Sequence, residues 1–175
     1  IEALYRRWAA LAPAPAALDP WEATRVNLAR PEFGTTATAS SAFGPDYEAA
    51  KAIDGNTDGI YDHASISHTN DGMPWWQVRL ATRTTIDSVV LWTRLDCCTQ
   101  RLSNFRLRFL DDDSNEVWGE DLFTDLTYPN PSFQYVPPDP VDDVRTVRIE
   151  KIGADSGGEF ILSLAEVEVL GTSVD

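Results

Sequence analysis

A short segment near the middle of the chain concentrates side chains that can do chemistry. Residues 94–101 read Arg-Leu-Asp-Cys-Cys-Thr-Gln-Arg and follow an apolar, strand-like run at residues 86–93. Arg94 and Arg101 offer rigid sets of hydrogen-bond donors that keep their charge, and Asp96 lies between them, where it can hold both guanidinium groups. The alternative is a surface ion pair, which contributes about 0–1 kcal/mol. Polar residues at the end of a rigid strand are typical of a binding site.

The two cysteines of the chain, Cys97 and Cys98, are adjacent in this segment. Thiols that bind a metal are normally spaced so that both face the ion, whereas adjacent cysteines can join to each other. Neighbouring Cα atoms are about 3.8 Å apart, below the usual disulfide range of roughly 4.4–6.8 Å, so such a bond requires a tight turn. The loop that it closes is too short to constrain the unfolded chain much. The residues alone leave both a disulfide and two reduced cysteines open.

Length and composition indicate one packed domain. The chain has 175 residues, 43% of them hydrophobic, with six tryptophans, which is enough for a proper core. It carries 14 basic and 28 acidic residues, a net charge of −14. That charge disfavours nucleic acid and anionic membranes, because both need a basic face. No apolar run approaches the roughly 18 residues that span a bilayer, so we predict no membrane insertion.

The N-terminal residues 1–24 differ in composition from the rest. Residues 1–12 carry Leu4, Trp8 and Leu11 at helical spacing, which predicts a short amphipathic helix. Three prolines between residues 13 and 20 then predict a linker up to residue 24. This segment is either a helix packed on its own domain or a docking arm of a larger protein. We assign the remainder, residues 25–175, to a single domain.

That domain is predicted to be all-β. Short, often alternating apolar segments are separated by clusters of Gly, Pro, Asn and Asp, a pattern typical of strands and turns. The candidate strands are residues 36–41, 75–81, 85–93, 104–110, 115–122, 132–136, 144–152 and 161–170. Segments with helical periodicity are nearly absent after residue 50. We therefore predict a β-sandwich with jelly-roll-like connections.

An acidic loop offers oxygen ligands for a cation. Residues 54–59 read Asp-Gly-Asn-Thr-Asp-Gly, which matches the first half of an EF-hand loop. Ser65 stands at the twelfth position, where that loop needs a bidentate glutamate, and no helices flank it. An EF-hand is excluded, but a calcium-binding turn and an Asx turn without an ion both remain open.

The chain resembles the F-type lectin (fucolectin) family in a signature made of His68, Arg94, Asp96, the cysteine pair and Arg101. His68 is followed after 25 residues by Arg94-Leu95-Asp96, and after four more by Arg101. The resemblance covers residues 27–171 and implies a discoidin-like (coagulation factor type C-like) jelly-roll β-sandwich that binds L-fucose and fucosylated glycans. It implies that His68, Arg94 and Arg101 donate to the sugar, that Asp96 orients the guanidinium groups, and that Cys97 and Cys98 form a disulfide facing the sugar ring. By the same match, Phe43 and Tyr61 lie in loops that contact the sugar's methyl group.

The resemblance also implies a calcium ion. The run Ala-Ile-Asp-Gly-Asn at residues 52–56 matches the calcium loop of the family. The ligands that it implies are the Lys51, Asn56 and Ala165 carbonyls, the Asp54 and Glu166 carboxylates, and Ser65. The family often has a third cysteine where this chain has Ala165. The alanine removes a disulfide but keeps the backbone carbonyl that could bind the ion. The ion would hold the loop that leads into His68.

The sequence favours a binding protein over an enzyme. Neither His63 nor His68 has the context of a catalytic base, and the two histidines lack a third ligand for zinc. The alternatives that we keep are a discoidin-type adhesion module for lipid or protein, and a carbohydrate-binding module cut from a glycan-active enzyme. A disulfide at Cys97–Cys98 predicts an oxidising location, so we expect a secreted or extracellular protein. Weak single sites would favour homo-oligomers for avidity.

Overall fold

The computed structural model describes residues 26–70 and 72–174, and within them the chain forms eight β-strands. The predicted N-terminal helix and linker lie outside the described residues. The strands are β1 (Thr36–Ala39), β2 (Ser67–His68), β3 (Trp75–Thr93), β4 (Phe105–Leu110), β5 (Glu116–Leu122), β6 (Ser132–Tyr135), β7 (Val141–Lys151) and β8 (Ser163–Val174). Short 3-10 helices cover Pro31–Phe33, Pro45–Tyr47, Ala49–Ile53, Tyr61–His63 and Thr99–Arg101. In this part of the chain no helix is long and apolar enough to cross a bilayer.

The strands form the antiparallel, discoidin-like β-sandwich that was predicted. They pair in the order β2-β8-β3-β7-β4-β5, and β1 and β6 also pair with β3. The first half of β3 pairs with β1 and β7, and its second half pairs with β6 and β8. This strand therefore belongs to both layers of the sandwich.

The continuity of β3 differs from the two separate strands predicted at residues 75–81 and 85–93. The polar residues between them stay in the ladder, because Arg83 and Thr84 pair with the end of β8. The pairing of β3 with β7 becomes irregular between Arg79 and Thr84, and such an irregularity bends a strand without ending it. Strand β8 correspondingly runs to Val174, beyond the predicted end at residue 170.

The core lies between the two layers and contains large side chains from most of the strands. Trp76, Phe105, Phe109 and Ile149 are fully buried. The indole nitrogen of Trp76 donates to the Ala49 carbonyl at 3.0 Å, so the polar atom of this core residue is satisfied. Burial of these side chains fixes the strands, and therefore the positions from which the loops extend.

Four backbone hydrogen bonds bring the loops together at one end of the sandwich. The Phe43 amide donates to the His68 carbonyl at 2.9 Å, and the Thr69 amide donates to the Leu162 carbonyl at 3.1 Å. Leu95 is bonded to Gly59, and Ile152 to Asn104, in the same way. Residues 94–104, which we call the arginine loop, thus lie beside residues 41–47, 59–68 and 152–162.

Candidate functional site

Arg94 follows the last residue of β3 and is held by Asp96. Its Nε donates to Asp96 Oδ1 at 2.7 Å and its Nη2 donates to Oδ2 at 2.8 Å. This parallel pair is the strongest geometry that an arginine and a carboxylate can form. Hydrogen bonding from Arg94 is the main reason that the pKa of Asp96 falls to about 2. The guanidinium group, whose side chain is only 9% exposed, is therefore fixed in direction.

Arg101 has a different partner, so the prediction that Asp96 holds both guanidinium groups is wrong. The Nε and Nη2 of Arg101 donate to Glu159 Oε2 at 3.0 Å and 2.8 Å. The 3-10 turn Thr99–Arg101 carries this side chain toward residues 152–162 and away from Asp96. Sequence reasoning missed Glu159, since it lies 58 residues away and no local pattern marks it.

Cys97 and Cys98 form a disulfide between neighbouring residues. Cys98 adopts the left-handed conformation with φ 59°, and its carbonyl accepts the Arg101 amide at 3.0 Å. Cys97 is exposed. The linked pair is therefore an exposed part of the arginine loop, and it lies between Arg94 and Arg101 in sequence.

His68 lies close enough to both arginines to feel their charges and is almost fully buried, with 4% of its surface exposed. Its Nδ1 is hydrogen-bonded to the Ser163 hydroxyl at 2.8 Å. Burial, together with the charges of Arg101 and Arg94, lowers the pKa of His68 to about 4. The imidazole is therefore neutral near pH 7, so its ring nitrogens provide one donor and one acceptor.

Aromatic rings surround His68 on the side of residues 43–61. Phe43 and Tyr61 have ring centres 5.4 Å and 5.6 Å from that of His68, and Arg94 Cζ lies 4.5 Å from the centre of the Tyr61 ring. The structure thus brings both predicted aromatic residues to the site. It adds Tyr47, which the sequence analysis missed and whose ring is stacked on Tyr61 at 4.3 Å. We call Phe43, Tyr47 and Tyr61 the aromatic wall.

The charges at this site are balanced. Each guanidinium group has its own carboxylate, and His68 is neutral. Such a site presents directional donors without a strong net positive field, which suits an uncharged molecule with several hydroxyl groups. The aromatic wall supplies an apolar surface beside those donors.

The structure brings Glu166 next to the loop that contains Asp54. Glu166 is buried, with 1% of its surface exposed, and both of its oxygens accept the Gly55 amide at 3.1 Å. Burial, together with the nearby Asp54 charge, raises the pKa of Glu166 to about 7, although the hydrogen bond from Gly55 opposes the shift. A buried carboxylate beside a second carboxylate is a costly arrangement that a bound cation relieves.

The backbone around Glu166 also fits a cation. The pairing of β3 with β8 passes from Trp92–Glu166 to Thr93–Leu164, so Ala165 is left out of that ladder. Lys51 and Asn56 lie on either side of Asp54, and the buried Ser65 hydroxyl donates to the Ile60 carbonyl at 2.9 Å. Among residues 26–70 and 72–174, no three His, Cys, Asp or Glu side chains converge on a metal position. A calcium ion here would therefore depend on backbone carbonyls in addition to Asp54 and Glu166, a ligand set that calcium accepts.

Comparisons with known proteins agree with this geometry. The model of the NedA-like, galactose-binding domain family matches residues 51–132. Fucolectin-4 of Anguilla japonica is 48% identical over 59 residues, which cover 34% of this chain and 33% of that protein. The match thus spans about a third of the length of this curated relative.

Solved structures match over a longer part of the chain. The lectin domain of lectinolysin, complexed with Lewis B antigen, is 32% identical with a TM-score of 0.72, covering 85% of this chain and 98% of that one. A fucose binding module of Streptococcus pneumoniae is 28% identical with a TM-score of 0.72, covering 85% and 99%. On this fold, motif and similarity, the chain belongs to the F-type lectin (fucolectin) family.

Proposed function

We propose that this chain is a lectin that reversibly binds L-fucose and fucosylated glycans. The observation that carries the proposal is the arrangement of Arg94 and Arg101, each held by its own carboxylate, around the buried neutral His68. The similarity to the eel fucolectin and to the pneumococcal fucose binding module supports the choice of sugar.

Binding follows from the chemistry of these groups. The guanidinium donors face sugar hydroxyl and ring oxygens, and the fork of an arginine can contact two neighbouring oxygens. His68 offers a further hydrogen bond whose direction Ser163 sets. The methyl group of fucose packs against Phe43 and Tyr61, and the disulfide presents an apolar sulfur surface to the ring. The sugar is held and released without covalent change.

Such a site is weak by itself. Each polar contact contributes about 0.5–1.5 kcal/mol net, and ordering costs reduce the sum. We therefore expect dissociation constants between about 1 µM and about 1 mM. Useful retention on a cell surface would come from several sites acting together, in a homo-oligomer or an array. The disulfide favours an extracellular location for this activity.

The test is fucose binding by Arg94→Ala and Arg101→Ala. Each substitution should weaken binding at least about tenfold, because a hydrogen bond to a charged group contributes about 1.5–3 kcal/mol. Calorimetry with L-fucose measures the affinity, and thermal melting verifies the fold. The matched control is Arg79→Ala, which removes an arginine paired with Asp112 on an exposed strand face. Unchanged affinity in both site variants would overturn the proposal.

We further propose that calcium binds between Asp54 and Glu166. The bound ion would supply positive charge that stabilises the two carboxylates, and the loop leading to Tyr61 and His68 would be held more firmly. Millimolar CaCl₂ should raise the melting temperature of chelator-treated protein by about 2–4 °C for each kcal/mol of binding free energy.

Two variants distinguish calcium binding at this site from a general effect of removing a negative charge. Glu166→Gln should lose the response to calcium, whereas Glu168→Gln should keep it, because Glu168 is bonded to the Trp92 indole. A wild-type protein that melts at the same temperature in calcium and in chelator would contradict the calcium site. Such a result would leave the sugar site standing.

A further inference from the structure

A buried lysine lies directly behind Arg101. Lys151 is the last residue of β7, and only 1% of its surface is exposed. Its ammonium group donates to the Ser103 carbonyl at 2.6 Å and to the Arg101 carbonyl at 3.3 Å. A buried charge is expensive unless it is paired and hydrogen-bonded, so these two carbonyls are its main compensation.

These contacts fix the backbone from which the Arg101 side chain extends. The Ser103 hydroxyl donates to the Gln100 carbonyl at 2.6 Å, and the Leu102 amide donates to the Thr99 carbonyl at 3.2 Å. Lys151 joins this turn to the end of a core strand. The turn would otherwise rest mainly on bonds within the arginine loop.

The other end of Arg101 is held by a segment that contains a second buried charged residue, Asp155. Asp155 is 3% exposed, and its Oδ1 accepts the Gly157 amide at 2.8 Å and the Glu159 amide at 3.0 Å. Its Oδ2 is buried without a hydrogen-bond partner among the described residues. Burial lowers the pKa of Lys151 to about 8, and the charge of Asp155 opposes that shift. Asp155 thus holds the backbone of Glu159, which binds the Arg101 guanidinium.

We propose that Lys151 is a positioning residue of the sugar site, which orients Arg101 by holding the backbone carbonyls of Arg101 and Ser103. This inference rests on the proposed function, because it assumes that Arg101 donates to the bound sugar. Lys151 itself contacts no sugar.

A positioning role and a purely structural role predict different results. Replacing a buried charged group with an apolar one of similar size changes stability in either direction, so stability is a poor indicator here. Affinity for fucose is the informative quantity. Lys151→Met should weaken it by roughly tenfold, on the scale of the hydrogen bonds that direct Arg101.

The experiment is a pair of double-mutant cycles measured by calorimetry with L-fucose. Lys151→Met is combined with Glu159→Gln, which acts through Arg101, and separately with Asp96→Asn, which acts through Arg94. We expect the losses of affinity to be non-additive with Glu159→Gln and additive with Asp96→Asn. Val147→Ala, a fully buried position on the same strand, is the control for general destabilisation. Lys151→Gln replaces Lys151→Met if the latter does not fold.

Three outcomes would overturn the inference. Affinity unchanged in the folded Lys151 variant, with normal wild-type binding, refutes it while the proposed function stands. A loss that is equally additive with both partners, or that Val147→Ala reproduces, assigns Lys151 a structural role only. Absence of fucose binding by the wild-type protein refutes the inference and the proposed function together.

Discussion

At the scale of single residues, the site depends on separate carboxylates for its two arginines. Asp96 holds Arg94 and Glu159 holds Arg101. The Glu159 side chain is 44% exposed, whereas the Arg101 side chain is 11% exposed. The acceptor therefore reaches toward solvent while the donor stays mostly covered. Both guanidinium groups are directed and neutralised before any sugar arrives, which lowers the ordering cost of binding.

The neutral state of His68 gives a prediction about pH. Its pKa is lowered to about 4, mainly by burial, so we expect His68 to add no pH dependence to the fucose affinity between about pH 5 and about pH 8. The affinity should fall as the pH approaches 4, when a charged imidazole would repel Arg94 and Arg101. Calorimetry across this pH range measures it. An inflection near pH 6.5 would show that His68 titrates as an exposed histidine does.

The same shift affects stability, with a definite sign. Between pH 6.5 and about 4 the unfolded chain takes up a proton on His68 while the folded chain does not. The unfolded state is then favoured, so the contribution of His68 makes the protein less stable as the pH falls through this range.

At the scale of elements, loop contacts transmit the shape of the sandwich to the site. The Leu95 amide donates to the Gly59 carbonyl at 2.8 Å, which joins the start of the arginine loop to the segment before Tyr61. Gly59 has φ +69°, and an added Cβ would lie 2.8 Å from the Thr93 carbonyl oxygen. Only glycine permits this close approach without strain.

Gly59→Ala is therefore expected to damage both fold and site. The positive φ alone should cost about 1–3 kcal/mol, and the contact with backbone cannot be relieved by a rotamer change. We expect a lower melting temperature together with weaker fucose binding. Gly72→Ala is the matched control, since an added Cβ meets nothing within 4 Å there. Equal melting temperatures for both variants would contradict this view of the loop.

At the scale of the whole molecule, the distribution of charge separates the site from the rest of the surface. The chain carries a net charge of −14, yet the two site arginines are each paired with one carboxylate and His68 is neutral. Excess like charge destabilises a compact protein through self-repulsion. Because fucose is uncharged, this repulsion does not change its affinity for the site.

Salt should therefore affect stability and binding differently. Raising the ionic strength from about 0.01 M to about 0.1 M shortens the Debye length from about 30 Å to about 10 Å. We expect the melting temperature to rise, while the affinity for fucose changes by less than about twofold. Thermal melting and calorimetry in the same buffers test both parts. A strong fall in the fucose affinity with salt would contradict the view that the charges of the site are balanced.

Much of the architecture was predictable from the chain itself. Alternating apolar segments predicted the all-β sandwich, and the predicted strands reappear within a few residues of their expected ends. The prediction missed the short strand β2, and it placed a break at residues 82–84, where polar residues suggested a turn inside β3. Pairing with β8 keeps these residues in strand conformation, and such long-range pairing leaves no local signal.

Within the site, the range of each interaction separates what was predictable from what was not. The sequence by itself determined the pairing of Arg94 with Asp96 and the adjacency of Cys97 and Cys98, because these groups lie within a few residues of one another. Its net charge of −14 predicts that anionic polymers are poor partners. The tertiary structure alone decided that Glu159 holds Arg101, that Lys151 supports the turn behind it, and that Tyr47 stacks on Tyr61. Those partners meet only where separate loops converge on one end of the sandwich. That convergence is set by the packing of the core and not by the spacing of residues along the chain.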